Sequence, residues 1–394
     1  MKPASKTYTI LDMRKLLSIF FIVTLVVYFI TSPGKTPFDY FTRLADSFID
    51  EKYYLNDNPP WLSELVPAGE NKYFVVYPPM PALVLIPFRY LLGNSFEQRY
   101  LTFLLGAGIV VLTMAISWIF KKNKGQLIFM GLLTAFGNII WFLSSVGSSW
   151  YLGQISAAFF ITAAIYESLK RKRPLLVGIF IGAAFLSRLH TILSLPLFIY
   201  LFFDKKGWFQ NYFKIALGII PFLGFNFYYN FIRFGTVFDK AYLLIPGLLD
   251  EPWFRNGLFN IKYIPNGLRA MFLLSPRYSN TFPYLTPSWR GLSILFTSPI
   301  LIFTLFNGLK DKINLFTWIS ILPIAIVVLS HGTTGFAQFG YRFAVDFYPL
   351  LFLLLINYFS IHKINKFHWL LLAVGIIVNL WGVICINKLG LVGF

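Results

Sequence analysis

The sequence is strongly apolar and basic. Its 394 residues are 57% hydrophobic and only 13% charged, and the formal net charge is +18. With a mean hydropathy of +0.66, this composition excludes an ordinary soluble domain. The Lys and Arg residues lie in short clusters between apolar runs, which indicates membrane topology and argues against nucleic-acid binding. The single cysteine, Cys385, excludes an internal disulfide framework.

Apolar runs of about 20 residues, each enough for one helical crossing of a bilayer, recur along almost the whole chain. Because lipid offers the backbone no hydrogen-bond partners, these runs are predicted to be helices. The first run, residues 16–31, follows Arg14 and Lys15 and lacks a small-residue cleavage site, so we predict a retained anchor. Placing every basic cluster on the cytoplasmic side predicts about eleven spans, a cytoplasmic N-terminus and an external C-terminus. The predicted spans are residues 16–32, 97–120, 125–145, 151–168, 174–187, 190–203, 211–232, 289–307, 313–330, 343–360 and 367–386.

Two large loops, residues 33–78 and 233–288, fall on the external side in this predicted membrane topology. The proline-rich segment 77–93 is short for a membrane span. A crossing of the membrane by this segment would also place the basic cluster 121–124 on the external side, so we predict a juxtamembrane or re-entrant helix. All but four of the sixteen acidic residues fall on the external side, which places the chemistry there. The predicted fold is a single all-α domain, residues 1–394: a polytopic transmembrane helical bundle with external juxtamembrane helices.

Residues 38–52 are predicted to form an amphipathic helix at the external membrane surface. Asp39, Arg43 and Asp46 recur at helical spacing on one face of it. A carboxylate on such a helix can act as a general base where burial or a neighbour adjusts its pKa. Asp39 and Asp46 are therefore candidate catalytic residues, and the alternative is a solvated face that carries an Arg–Asp ion pair.

Two arginines, Arg188 and Arg342, lie at the predicted membrane surface, where an isolated charge is unfavourable. The planar guanidinium group binds phosphate through paired hydrogen bonds, so both are candidates for a phosphate site. His190 and Asp346 accompany them and are candidate substrate-binding residues. Asp346 follows Arg342 by four residues, so an internal ion pair is one alternative for Arg342; snorkelling to lipid headgroups is another.

The first loop continues as a proline-rich scaffold over residues 56–81, and Glu64 and Tyr77 in this stretch are further candidate substrate-binding residues. Aromatic residues stand beside polar ones at 275–278 and 287–291; they are suited to stacking on sugar rings, although aromatic belts are common in membrane proteins. The four His residues are scattered, and there is no Cys cluster, phosphate-binding glycine loop or GxSxG motif. No metal or other cofactor is therefore predicted, and ATP-driven work and serine hydrolysis have no support.

The order of these motifs resembles that of the polyprenyl-phosphate-sugar-dependent membrane glycosyltransferases of the GT-C fold, which include protein O-mannosyltransferases and the aminoarabinose transferases of lipid A. The resemblance covers most of the chain. Five features carry it: an early acid in the first loop (Asp39), a Tyr-Pro-Pro segment (residues 77–79), an Arg at the start of the next helix (Arg99), a Ser-Arg turn (residues 187–188) and a Gly-Tyr-Arg-x3-Asp stretch (residues 340–346). It implies that a first-loop acid prepares the acceptor while basic residues, here Arg188 or Arg342, hold the lipid phosphate. Tyr40 follows Asp39 where the clan commonly has Glu, so the choice between Asp39 and Asp46 stays open.

This resemblance predicts an enzyme of the plasma (inner) membrane that transfers a hexosyl or pentosyl group from a polyprenyl-phosphate donor, with inversion. The acceptor would be a lipid, glycan or protein on the external face, and membrane lipids would be the remaining partners. A flippase or transporter of lipid-linked saccharides is the alternative, but it should line a mid-membrane path with charges, and the helix centres have few. A non-catalytic membrane scaffold is the third hypothesis, and it leaves the acid-rich first loop unexplained.

Overall fold

A computed structural model describes residues 10–204 and 206–392. The predicted basic cluster at residues 2–15 lies largely outside this range, as does residue 205. The described helices are α1 Ile10–Thr31, α2 Tyr40–Ile49, α3 Met80–Leu92, α4 Gln98–Phe120, α5 Lys124–Phe136, α6 Ile140–Val146, α7 Ser149–Lys170, α8 Pro174–Phe185, α9 Leu195–Leu201, α10 Trp208–Phe234, α11 Ile264–Leu273, α12 Ile294–Thr297, α13 Lys312–Leu329, α14 Tyr348–Ile361 and α15 Lys366–Val383. Short strands pair as two antiparallel hairpins, β1 Leu65–Pro67 with β2 Tyr73–Val75, and β3 Arg277–Tyr278 with β4 Leu285–Thr286.

The prediction of an all-helical, polytopic membrane fold is confirmed, while the number of spans is not. Within the described residues, seven helices are long and apolar enough to cross a membrane, or eight if α5 and α6 form one bent span. The predicted spans 174–187 and 190–203 correspond to shorter apolar helices, Pro174–Phe185 and Leu189–Leu201. The predicted span 289–307 is interrupted: α12 ends at Thr297, and a 3-10 helix, Pro299–Phe306, follows. Proline has no backbone N–H to continue the hydrogen-bond ladder, which explains a break at this point.

The break between α5 and α6 is a bend of 49°. The Asn138 amide donates to the carbonyl oxygens of Leu133 and Thr134 at 2.6 and 3.1 Å, and its side-chain oxygen accepts from the backbone N–H of Ile140 at 2.9 Å. One side chain thus satisfies groups at the end of one helix and the start of the next. Such compensation permits a broken helix at membrane depth.

The bundle is built around a central pair of helices. In an 18-residue window of each span, 89% of the residues are buried in the span Arg342–Ile361, which includes α14, and 83% in α7, but only 11% in the α1 span. Glycines set the spacing where α8 meets α10: a Cβ atom on Gly178 would lie 2.1 Å from the backbone oxygen of Ile215, and one on Gly218 2.4 Å from that of Leu175. Small residues at such crossings let helix backbones approach closely in a membrane.

The two large loops lie together on one side of the bundle, which we call the loop face (residues 32–79 and 235–293). The guanidinium group of Arg233, at the end of α10, donates to the Val75 carbonyl oxygen in β2 at 2.6 Å and stacks on Tyr229, with 3.6 Å between its central carbon and the ring centroid. In the first loop, α2 buries Tyr40, Phe41, Leu44 and Ala45. The helices α2 and α3 lie within the segments predicted as amphipathic and as juxtamembrane or re-entrant. The loop face therefore consists of two ordered loops held against each other.

Candidate functional site

A cavity of about 1120 Å³ opens between the two loops and the adjacent ends of the central helices. This volume exceeds the usual 300–1,000 Å³ of a small-molecule site, so the cavity has room for more than one small ligand group. Five of the eight candidate catalytic and binding residues line it: Glu64, Tyr77, Arg188, His190 and Arg342. They come from the first loop, from the turn after α8 and from the start of the span that contains α14.

Asp346 lies beneath the cavity wall and holds two of these residues in place. Its side chain is fully buried and accepts hydrogen bonds from Arg188 Nη2 and Nε at 2.9 and 3.2 Å, while His190 Nε2 lies 2.8 Å from the same oxygen. Arg188 is an extended residue between α8 and the 3-10 helix Leu189–Ser194. The buried carboxylate therefore fixes the direction of both side chains at the cavity wall.

The alternative that Arg342 pairs with Asp346 is wrong. Residues Arg342–Phe347 form a 3-10 helix rather than an α-helix. With three residues per turn, position i+4 is rotated away from position i, and the carboxylate instead meets Arg188 and His190.

The Arg342 guanidinium group has no carboxylate partner among the residues that the structure describes. Its buried Nε lacks a hydrogen-bond partner within the same range, and its central carbon lies 5.8 and 4.9 Å from the ring centroids of Tyr151 and Phe343. The backbone is held: its N–H donates to Gln338 Oε1 at 3.3 Å and its carbonyl oxygen accepts from Gln154 Nε2 at 2.9 Å. A buried donor without a partner, on a fixed backbone beside a cavity, is suited to an anionic ligand.

Glu64 is the predicted acidic residue that lines the same cavity as Arg188 and Arg342. Its Oε2 accepts hydrogen bonds from Trp150 Nε1 at 2.9 Å and from the Tyr242 hydroxyl at 3.3 Å. Its backbone N–H donates to the Tyr40 hydroxyl at 3.0 Å, which fixes it to α2. Burial raises the pKa of Glu64 above the ordinary value, while the Trp150 hydrogen bond and the charge of Arg342 act in the opposite direction.

His331 also lines the cavity and carries no charge at neutral pH, because burial lowers its pKa to about 4. Phe254, Phe259 and Phe343 surround its ring with centroids at 5.3–5.6 Å. Neither His331 nor Trp150 nor Tyr242 was singled out in the sequence. Each comes from a separate segment and belongs to no motif, so only the folded chain brings them to the site.

Asp39 and Asp46 do not line the large cavity. They lie at a separate small cavity of about 220 Å³ between α2, α3 and the start of α4. Asp39 pairs with Arg43 at 2.7 Å, and Asp46 accepts from Arg89 Nε and Nη2, both at 2.7 Å. These ion pairs are a sufficient structural reason for both acids: Asp39 pairs with Arg43 within the start of α2, and Asp46 ties the first loop to Arg89 of α3. The structure thus separates the predicted catalytic acids from the predicted phosphate-binding arginines, and a catalytic role for either acid stays a prediction.

Over the described part of the chain, no three His, Cys, Asp or Glu side chains are grouped in a way that could hold a metal ion. The site instead combines two guanidinium groups, the imidazoles of His190 and His331, and three carboxyl side chains, Glu64, Asp239 and Glu251, around one aromatic-lined cavity.

Two solved structures share this architecture. ArnT from Cupriavidus metallidurans, bound to undecaprenyl phosphate, matches with a TM-score of 0.55 and 14% identity, over 92% of this chain and 62% of that one. The apo oligosaccharyltransferase of Archaeoglobus fulgidus matches with a TM-score of 0.56 and 10% identity, over 97% of this chain and 56% of that one. This chain therefore spans about three fifths of their length. No protein-family model matches the sequence, and no curated protein matches it.

Both neighbours are membrane glycosyltransferases of the GT-C fold. The resemblance predicted from the motifs is confirmed at the level of the fold. At this identity the likeness concerns the arrangement of helices and not the substrates.

Proposed function

We propose that this chain, which has the GT-C fold, is a membrane glycosyltransferase that moves one sugar from a polyprenyl-phosphate donor to an acceptor on the external face of the plasma membrane. The observation that carries the proposal is one cavity that holds three groups: Arg342, whose buried Nε has no hydrogen-bond partner among the described residues, a positioned Arg188, and the carboxylate of Glu64. Such a transfer needs cations for the phosphate and a base for the acceptor. The undecaprenyl phosphate bound to ArnT from Cupriavidus metallidurans supports the choice of donor.

The two arginines would hold the donor phosphate. Arg342 offers a buried Nε donor that has no hydrogen-bond partner within the described chain, and Arg188 is directed by the buried Asp346. During transfer the bond between the anomeric carbon and the phosphate oxygen breaks, and its electron pair leaves with the polyprenyl phosphate. Fixed guanidinium groups stabilise the charge that develops there without having to reorganise.

Glu64 would accept the proton of the attacking acceptor hydroxyl, whose oxygen bonds to the anomeric carbon. A raised carboxyl pKa makes a better proton acceptor near neutral pH. One displacement completes the transfer, so we expect inversion at the anomeric carbon. The assignment favours Glu64 over Asp39 and Asp46, because those two acids are paired with arginines at another cavity.

The test is transfer of radiolabelled sugar from a panel of polyprenyl-phosphate sugars by membranes that carry wild type, Glu64→Gln, Asp39→Asn or Asp46→Asn. We expect Glu64→Gln to reduce transfer by roughly a hundredfold or more, the usual contribution of a general base, and the two Asn variants at equal expression to retain most of it. Collapse in Asp39→Asn or Asp46→Asn alone would move the base to the small cavity. No transfer from any donor would contradict the proposal and favour the flippase.

The phosphate-binding role of Arg342 is tested by Arg342→Lys. Lysine keeps the charge but loses the planar fork, so we expect donor use, measured as kcat/KM, to fall about tenfold to a hundredfold, the equivalent of about 1.5–3 kcal/mol for a charge-assisted hydrogen bond. The matched control is Arg290→Lys, because Arg290 is exposed on the loop face and does not line the large cavity. Equal donor use by wild type and Arg342→Lys would remove Arg342 from the phosphate site.

A further inference from the structure

Three aromatic side chains from distant segments meet on the wall of the large cavity, and we call them the aromatic shelf: Trp253, Trp289 and Phe336. The Trp289 and Phe336 rings are stacked, with centroids 4.5 Å apart and an interplanar angle of 17°. Trp253 packs against the same phenyl ring at 5.1 Å and 61°. Phe336 therefore supports both indoles and fixes their orientation.

The two indoles are open to the cavity rather than enclosed in the core. Trp253 is 37% exposed and Trp289 is 41% exposed, although both line the cavity. An aromatic face that is supported from one side and open on the other is ready for a flat apolar partner.

A carboxylate stands beside the shelf. The Trp253 indole Nε1 donates to Glu251 Oε2 at 2.5 Å, and Glu251 also lines the cavity. An ionised carboxylate can accept about four hydrogen bonds, so one indole donor leaves most of this capacity for a ligand. The negative charge would repel a phosphate, and an acyl chain could not use the acceptor oxygens.

A pyranose ring has the complementary chemistry: one face of C–H groups for an indole, and hydroxyl groups at its edge for a carboxylate. We infer that the aromatic shelf and Glu251 form a subsite for a neutral pyranose ring of the glycosyl acceptor, so that the acceptor is a glycan or glycolipid. The assignment of this sugar to the acceptor rests on the proposed function. Glu251 lines the same cavity as the proposed base Glu64, so a sugar bound at the subsite shares one space with that base.

The subsite can be tested without any donor. Saturation-transfer NMR would measure binding of maltotriose and mannotriose, with open-chain sorbitol as the control ligand, to the full chain in lipid nanodiscs. We expect wild type to saturate at least one trisaccharide but not sorbitol, and Trp253→Ala to reduce that signal at least fivefold. The matched control is Trp61→Ala, since Trp61 is an exposed indole of the first loop outside the cavity.

Absence of saturation for both trisaccharides in wild type, or equal signals in wild type and Trp253→Ala, would overturn the inference. So would quenching of Trp253 fluorescence by brominated acyl chains, measured as the difference between wild type and Trp253→Phe, because it would place the shelf in lipid. The outcomes separate the two proposals. Trp253-dependent sugar binding without transfer from any donor would refute the glycosyltransferase and keep the saccharide site. Transfer with an unchanged acceptor KM in Trp253→Ala would instead keep the glycosyltransferase and refute the saccharide site.

Discussion

Burial is the largest influence on the proton affinity of the Glu64 carboxylate and raises its pKa. The Trp150 hydrogen bond, the Arg342 charge and the Tyr242 hydrogen bond lower this pKa, and the Glu251 charge raises it. The balance remains above the ordinary glutamate value of 4.5. If Glu64 is the base, its active form is ionised, so activity is present above this raised pKa and is lost as the pH falls through it. The acid limb of kcat/KM against pH should therefore lie above pH 4.5.

The Trp150 hydrogen bond provides a second test of Glu64 as the base. Removing the bond in Trp150→Phe removes an influence that stabilises the ionised carboxylate, so the acid limb should move to higher pH. Trp61→Phe should leave the limb in place, because Trp61 lies outside the cavity. An acid limb that is identical in wild type and Trp150→Phe would show that another group limits the rate.

The sequence pointed to a site residue only where a charged residue type stood at a predicted membrane position that is unfavourable for it. Arg188 and Arg342 were singled out because an arginine is costly at the membrane surface. The structure brings both to one cavity, and phosphate binding by either stays a prediction. The alternative of an Arg342–Asp346 ion pair was wrong, because the i, i+4 spacing assumes an α-helix and residues 342–347 form a 3-10 helix. The contacts of Glu64 with Trp150 and Tyr242 join residues 86 and 178 positions apart, and spacing carries no information over such separations.

At the scale of helices, hydropathy predicted where apolar segments lie but not where they break. The predicted spans 125–145 and 289–307 have the composition of continuous helices, yet one bends by 49° and the other becomes a 3-10 helix at Pro299. A window average ignores the single residues that decide continuity, here Asn138 and Pro299. Once their backbone effects are considered, both breaks are consistent with the sequence.

The crossing of α8 and α10 offers a test of packing with an internal control. A Cβ atom on Gly218 would lie 2.4 Å from the Leu175 backbone oxygen, whereas Gly224 on the same helix has nothing within 4 Å. Gly218→Val must force the helices apart, and overpacking of this kind costs about 1–3 kcal/mol or more. Gly224→Val introduces the same β-branched residue without the collision.

We therefore expect Gly218→Val to lower the midpoint of heat-induced loss of the monodisperse peak in size-exclusion chromatography by several degrees, with Gly224→Val close to wild type. Helix propensity cancels in the comparison, because both variants make the same change within α10. Equal midpoints for the two variants would mean that α8 and α10 do not approach as closely as the structure places them.

At the scale of the whole molecule, the charge pattern and the fold agree on which segments share a side. Both predicted external loops lie on the loop face, joined by contacts such as that of Arg233 with Val75. The basic cluster at residues 121–124 lies at the opposite end: Lys121 Nζ donates to the carbonyl oxygens of Phe359 and Ser360 at 3.4 and 3.0 Å. Within the span Arg342–Ile361, the 14 residues of α14 give about 21 Å at 1.5 Å per residue, and the six-residue 3-10 helix Arg342–Phe347 adds about 12 Å at 2.0 Å per residue. About one membrane thickness therefore separates this cluster from the cavity.

This separation predicts opposite labelling of two cysteines. In a Cys385→Ser background, Ser275→Cys on the loop face should react with a membrane-impermeant maleimide added to intact cells. Lys122→Cys should react only after the membrane is opened, because the basic cluster is expected in the cytoplasm. Both positions are exposed, so a failure to react reflects the side of the membrane rather than burial. Reversed labelling would place the cavity on the cytoplasmic side and overturn an external transfer reaction, while reaction of both cysteines from one side would contradict the bundle itself, since the two positions would no longer lie at opposite ends of its spans.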